Sequence, residues 1–553
     1  MKLRMRTLLA GAAPAAAIGL MTGLSACSTD NTVGGAPASG VKNIVVIYAE
    51  NRSFDALFGN FPGANGVPTD PAKYTQLDRD GVTPLAKLPQ TWGGVTAAGN
   101  PLVVTQAQSD NLPNAPFAIE TTFNAVNGAS VLSTDDVTRD LTHRFFENIM
   151  EINGGSNDMF AAWLDAGGLT MGHFDYSKSA LYKLAQQYVL ADNFFEGAYG
   201  GSFLNHQYLI CACAPSVPAG AAGVVGTVVG NGMSVNVLGT PNAKNVPQLA
   251  RTDANVSAID GPAAYKTGNI APLDYFGAGD GYRAVNTMQA PYQPSGNFPA
   301  AGAADLRYAN PAAANTLPPQ TAKTIGDQLT AKNLSWAWYA GAWNAATVDG
   351  EQPSNATHSI IYTPSTPRAA PDFQAHHHPF NYYAAFDPAT HGADRVTHLK
   401  DGNDLLDDAA NGTLPAVAFY KPQGSVNQHP GYANAADGDA HIADVVAKLQ
   451  ASPQWKNMVI VITYDEYGGQ WDHVAPPKGD LLGPGTRIPA IIVSPFAKMG
   501  TVDHTLYDTG SVQRLINKVF GTAPLPGITA RDAALVAGGG SAMGDLTNAL
   551  NLP

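Results

Sequence analysis

Asn43-Ile44-Val45-Val46-Ile47-Tyr48 runs through Ala49 directly into Glu50-Asn51-Arg52-Ser53-Phe54-Asp55. The first segment is nearly continuous in apolar, β-branched residues, the pattern of a strand buried on both faces of a parallel sheet. Three other runs share it: Ala416–Tyr420, Met458–Thr463 and Ile488–Val493. Helical patterns over Ala440–Gln450 and Gly510–Val519 fall before one strand and after another. Strand-helix alternation predicts a three-layer, doubly wound α/β sheet. Gly/Val/Ala/Asn-rich 215–244 and Ala/Pro/Gly-rich 277–321 interrupt it and read as long insertions forming a cap over the sheet. There are no internal repeats.

In such sheets ligands gather beyond the carboxyl ends of the strands. Glu50 and Asn51 stand there after the first strand, and Asp465 and Glu466 after Met458–Thr463. Carboxylate and amide oxygens suit a hard divalent cation. Adjacent strand residues point to opposite faces, so Asp465 and Glu466 converge only where the chain leaves the strand. Gly468 and Gly469 supply the freedom for that exit. On spacing alone, solvated loop positions or helix caps fit these residues equally well.

The N-terminal stretch reads as an address. Lys2, Arg4 and Arg6 precede an apolar segment from Leu8 to Gly23, then Leu24-Ser25-Ala26-Cys27. The whole of 1–27 fits a signal peptide. Its last four residues resemble the lipobox of bacterial lipoproteins, which implies lipidation of Cys27 and an exported, membrane-anchored chain, periplasmic or at the cell surface. Residues 28–40 read as a flexible tether, and 41–553 as the folded domain with its insertions. The 31 Lys and Arg against 44 Asp and Glu leave a net charge of −13; this disfavours nucleic acid as a partner, because no basic stripe exists to displace counterions. Cys211 and Cys213, one residue apart, read as buried small residues rather than a bridge.

Three segments carry a resemblance. Glu50–Asp55 with Phe58-Gly59 resembles the opening signature of the bacterial phosphoesterase family, which contains acid phosphatases and phosphocholine-cleaving phospholipases C. Thr463-Tyr464-Asp465-Glu466-Tyr467-Gly468-Gly469-Gln470-Trp471-Asp472-His473 is similar to its second signature. Gly485-Thr486-Arg487-Ile488-Pro489 with Ser494-Pro495-Phe496 is similar to its third. The resemblance implies an alkaline-phosphatase-like fold and a nucleophile in Gly200-Gly201-Ser202-Phe203-Leu204-Asn205-His206, where the role falls on Ser202. It implies a divalent ion of unknown identity held by Glu50, Asn51, Ser202, Asp465 and Glu466. It assigns His143, Asn205 and His376 or His377 to the phosphoryl oxygens, and His429 to the leaving group. His378 stands where the family has glutamine, while His206, His473 and His504 read as loop supports. The expected activity is phosphomonoester hydrolysis through a phosphoserine, of acid phosphatase type. Two points lean that way. The phospholipase branch carries a β-rich C-terminal region with no counterpart before Pro553, and its twin-arginine signal is broken here by Met5. A phospholipase C acting on phosphodiesters, and a non-catalytic surface binding lipoprotein, are the alternatives.

Overall fold

Isoleucine and valine at successive positions, each with no accessible surface, place Asn43–Ala49 (β1) at the centre of the sheet. The computed structural model describes residues 40–123, 131–217, 257–262, 282–285, 287–313, 316–363 and 372–552. The expected signal peptide with Cys27, the tether to residue 39 and most of the 215–244 insertion lie outside the described residues. No helix of the described residues is long and apolar enough to cross a membrane.

Among the described residues, nine strands form the main sheet. After β1 come Val189–Phe195 (β2), Trp336–Ala340 (β3), Leu399–Asp401 (β4), Val417–Lys421 (β5), Met458–Tyr464 (β6), Arg487–Val493 (β7), Thr501–Asp503 (β8) and Tyr507–Asp508 (β9). Their order is β8-β2-β7-β6-β1-β5-β3-β4, with β9 also on β2. The architecture is the expected α/β type with a mostly parallel sheet. One strand departs from it: β7 runs antiparallel to both β6 and β2. The reason is the connection. The chain between Tyr464 and Arg487 holds no crossover helix, so it re-enters the sheet from the rim where β6 left it, and an antiparallel neighbour results.

Four helices matter for the site: Phe145–Ile152 (α1), Ser202–Cys211 (α2), Ala435–Ala451 (α3) and Gly510–Phe520 (α4). Helix α3 begins five residues before the predicted start because Asn434 caps it, its side chain accepting from the Asp437 amide at 2.7 Å. Past α2, Ala212 adopts φ +49° and folds the chain back. That reversal brings Cys211 and Cys213 to a Cα separation of 5.1 Å, and they form a disulfide. The expectation of two unbridged cysteines is thereby corrected; a left-handed Ala212 was not legible from spacing.

Candidate active site

Ala49 pairs with Tyr464 across β1 and β6, so Glu50 and Asp465 leave the sheet side by side. The Asn51 amide N–H donates to Asp465 Oδ1 at 3.2 Å. Asn51 reaches it through a left-handed turn, φ +49°, which asparagine adopts more readily than most residues. On the other loop, Gly468 and Gly469 take φ +65° and +70°. A Cβ on Gly468 would lie 2.6 Å from the Asn51 carbonyl oxygen, so the two motif loops touch backbone to backbone. Glu50, Asn51, Asp465 and Glu466 are all without accessible surface.

Ser202 opens α2 and faces this seat, its hydroxyl donating to Glu466 Oε1 at 3.3 Å. Gly200 and Gly201 precede it. They thread the chain between protein segments: a Cβ on Gly200 would lie 2.2 Å from the Arg144 carbonyl carbon, and one on Gly201 would lie 2.0 Å from Thr287 Oγ1. Asn205 also departs from expectation. Its amide donates to the carbonyls of Ala198 and Gly200 and accepts from the Ala198 N–H. It therefore latches the loop before Ser202, and both amide hydrogens are spent there rather than on phosphoryl oxygens.

His206, one turn beyond Ser202, was read as a loop support and belongs to the site. Its Nδ1 lies 2.8 Å from the Ser202 carbonyl oxygen. A carbonyl only accepts, so Nδ1 carries the hydrogen. Burial holds the ring well below the ordinary histidine pKa, hence neutral. Nε2 is then a bare lone pair, without a hydrogen-bond partner and 3.7 Å from Glu50 Oε1. His377 stacks on His206 at 4.9 Å and places Nδ1 3.3 Å from the same oxygen. Glu50, His206 and His377 form a group whose ligand atoms lie within 4.8 Å of one another. Glu50 Oε2, Asn51 Oδ1 and Asp465 Oδ2 are likewise buried with no partner. Converging acceptors cost free energy unless a proton or cation sits among them. The donor set, oxygen-rich with imidazole nitrogen, therefore fits a divalent cation. Sequence reasoning also missed Lys421, the last residue of β5, which is buried and ion-paired with Glu50 Oε1.

Burial raises the carboxyl pKa values of Glu50, Glu466 and Asp465 first, and mutual repulsion adds to it for Glu50 and Glu466. On the far side of His143 from them opens a cleft of about 480 Å³, lined also by Thr287, Tyr362, His376 and His429. His143 sits against the seat, Nε2 3.3 Å from Asn51 Nδ2 and 3.4 Å from Glu466 Oε1. His429 packs edge-on to His143 at 5.6 Å, and its Nδ1 donates to the Pro430 carbonyl. His376 bonds the Tyr362 hydroxyl at 2.8 Å, and burial lowers its pKa to about 3. His378 lies outside the seat, packed 4.3 Å from the Trp343 ring. His473 and His504 bond Asp55 and Asp192.

The three motif segments are joined behind the site by Arg487. Its guanidinium contacts Asp55 at 2.9 Å and Asp472 at 3.0 Å, over the Phe54 ring. Two buried carboxylates on one fork compensate a charge that would be costly alone.

The model of the phosphoesterase family matches residues 41–523. Phospholipase C B of Mycobacterium tuberculosis is 23% identical over 99% of this chain and 85% of its own length. Non-hemolytic phospholipase C of Burkholderia pseudomallei is 30% identical over 31% of this chain and 29% of its own length. Among solved structures, the lipoteichoic acid synthase LtaP of Listeria monocytogenes covers 88% of this chain and 73% of that one, at 7% identity and a TM-score of 0.29.

Proposed function

The chain belongs to the phosphoesterase family, and from that premise we propose that it cleaves phosphodiesters of phospholipid type through a phosphoserine at Ser202. The observation that carries this reading is the buried seroyl hydroxyl donating to Glu466 beside a seat of unpartnered acceptors. Relatives aligned along nearly the whole chain are phospholipases C, which favours diesters over the monoesters expected from sequence. A second reading, phosphomonoester hydrolysis, rests on the acid-phosphatase-like context of Ser202.

A divalent cation held by Glu50, Asn51, Asp465, His206 and His377, with Ser202 and Glu466 at its edge, would neutralise phosphoryl charge and lower the proton affinity of the Ser202 hydroxyl. Ser202 Oγ attacks phosphorus in line, and its proton passes to Glu466. His143 and His376 border the equatorial oxygens. His429 protonates the departing alkoxide. Burial and the neighbouring His143 hold its pKa well below the ordinary value, so the ring is neutral at rest and takes up the proton it transfers, at Nε2 from solvent, once the anionic ester is bound. Water then releases phosphate or its monoester and restores the serine. Export and lipid anchoring at Cys27 complete the proposal.

The test compares a chromogenic phosphocholine diester with a chromogenic monoester, using wild type and Ser202→Ala with divalent cation present. Diester turnover that falls on the order of a thousandfold or more in Ser202→Ala supports the proposal. Monoester turnover alone moves the protein to the second reading. Silence of the folded wild type on both esters returns it to a binding lipoprotein.

A further inference from the structure

Thr287 belongs to the Ala/Pro/Gly-rich insertion, far in sequence from every motif, yet it lies on the nucleophile. Its Oγ1 accepts the backbone N–H of Ser202 at 3.1 Å. The contact is tight, since no side chain at Gly201 fits beneath it. Thr287 also lines the cleft shared by His143, His376 and His429. A hydroxyl has one hydrogen to give and lone pairs to accept with. The Ser202 amide engages a lone pair, and among the described residues no acceptor takes the hydrogen. A hydroxyl hydrogen is thus held against the backbone of Ser202 on the wall of the cleft.

Building on the phosphoester reading of Ser202, we propose that Thr287 is a substrate-binding residue, its hydroxyl donating to a non-bridging oxygen of the phosphoryl group transferred to Ser202. The insertion thereby contributes to the reaction centre itself. It supplies a donor where Asn205, spent on its own loop, supplies none.

Orthovanadate, a phosphate mimic, is titrated calorimetrically into wild type, Thr287→Val, Thr287→Ala and Thr287→Ser with divalent cation present, alongside ester turnover. A lost hydrogen bond to a charged group predicts vanadate binding weakened about tenfold in Thr287→Val and Thr287→Ala, and kcat/KM lowered similarly. Thr287→Ser, which keeps the hydroxyl, stays within about twofold of wild type on the same argument. Vanadate affinity unchanged in both hydroxyl-free variants, at wild-type thermal midpoint, overturns the proposal. So does an equal loss in Thr287→Ser. A wild type that neither binds vanadate nor hydrolyses either ester overturns the phosphoester reading itself, and is told apart by needing no variant.

Discussion

Ser202 and His206 stand one turn apart on α2, the carbonyl of the first holding Nδ1 of the second at 2.8 Å. Residues four apart share a helix face, so the Ser202 hydroxyl and the His206 imidazole are presented to the same seat by one rigid element. The bond fixes the tautomer and turns Nε2 toward Glu50, 3.7 Å away.

The first prediction concerns that imidazole. His206→Leu removes the ring nitrogens while filling a similar buried volume. Divalent-cation affinity, measured by calorimetry on metal-stripped protein, is expected to fall about 10–100-fold. Ester turnover falls with it at limiting metal and recovers in part at excess. Cation affinity equal to wild type would remove His206 from the seat.

Much of this site was legible before the fold. Glu50-Asn51 and Asp465-Glu466 are adjacent in sequence to runs that read as strands, and parallel pairing of those runs aligned them. What escaped notice depended on three dimensions. Strand β2 carries Asp192 and Asn193, and β3 is built of aromatic residues and alanine, so neither shows the continuous β-branched signature. His206 needed α2 to begin at Ser202 before the four-residue spacing had meaning. Lys421 is a single strand-end cation, visible only once β5 lies beside β1. Asn205 was misassigned because the loop it latches is not encoded in any local pattern.

Lys421 carries the second prediction. The ion pair with Glu50 is buried on both sides, and removing one member strands the other. Lys421→Met is expected to destabilise the metal-free protein by about 3–5 kcal/mol. A bound divalent cation supplies the missing positive charge, so the loss shrinks with metal. Thermal unfolding with chelator and with excess cation checks this. Equal losses in both conditions would show that Lys421 does not share Glu50 with the cation.

The last prediction lies behind the site. Glu147 and Glu151 are one turn apart on α1, both without accessible surface, and the Tyr467 hydroxyl donates to Glu151 at 2.6 Å. Burial raises both carboxyl pKa values well above the usual range, and repulsion from Glu151 adds to the rise at Glu147. The folded protein then binds more protons than the unfolded chain at every pH between the ordinary carboxyl value and the raised one. Stability from this pair is therefore complete in acid, below about pH 4.5, and is lost as pH rises through the folded pKa values. Glutamine at 151 is neutral throughout and keeps an acceptor for Tyr467. Relative to wild type, Glu151→Gln should gain unfolding free energy between pH 5 and pH 8, by about 1.4 kcal/mol or more, the worth of a tenfold change in proton affinity. Denaturant unfolding at the two pH values measures the difference. A gap that stays constant, or closes toward pH 8, would mean that Glu151 is ionised at no cost in the folded protein, with a counter-charge beside it.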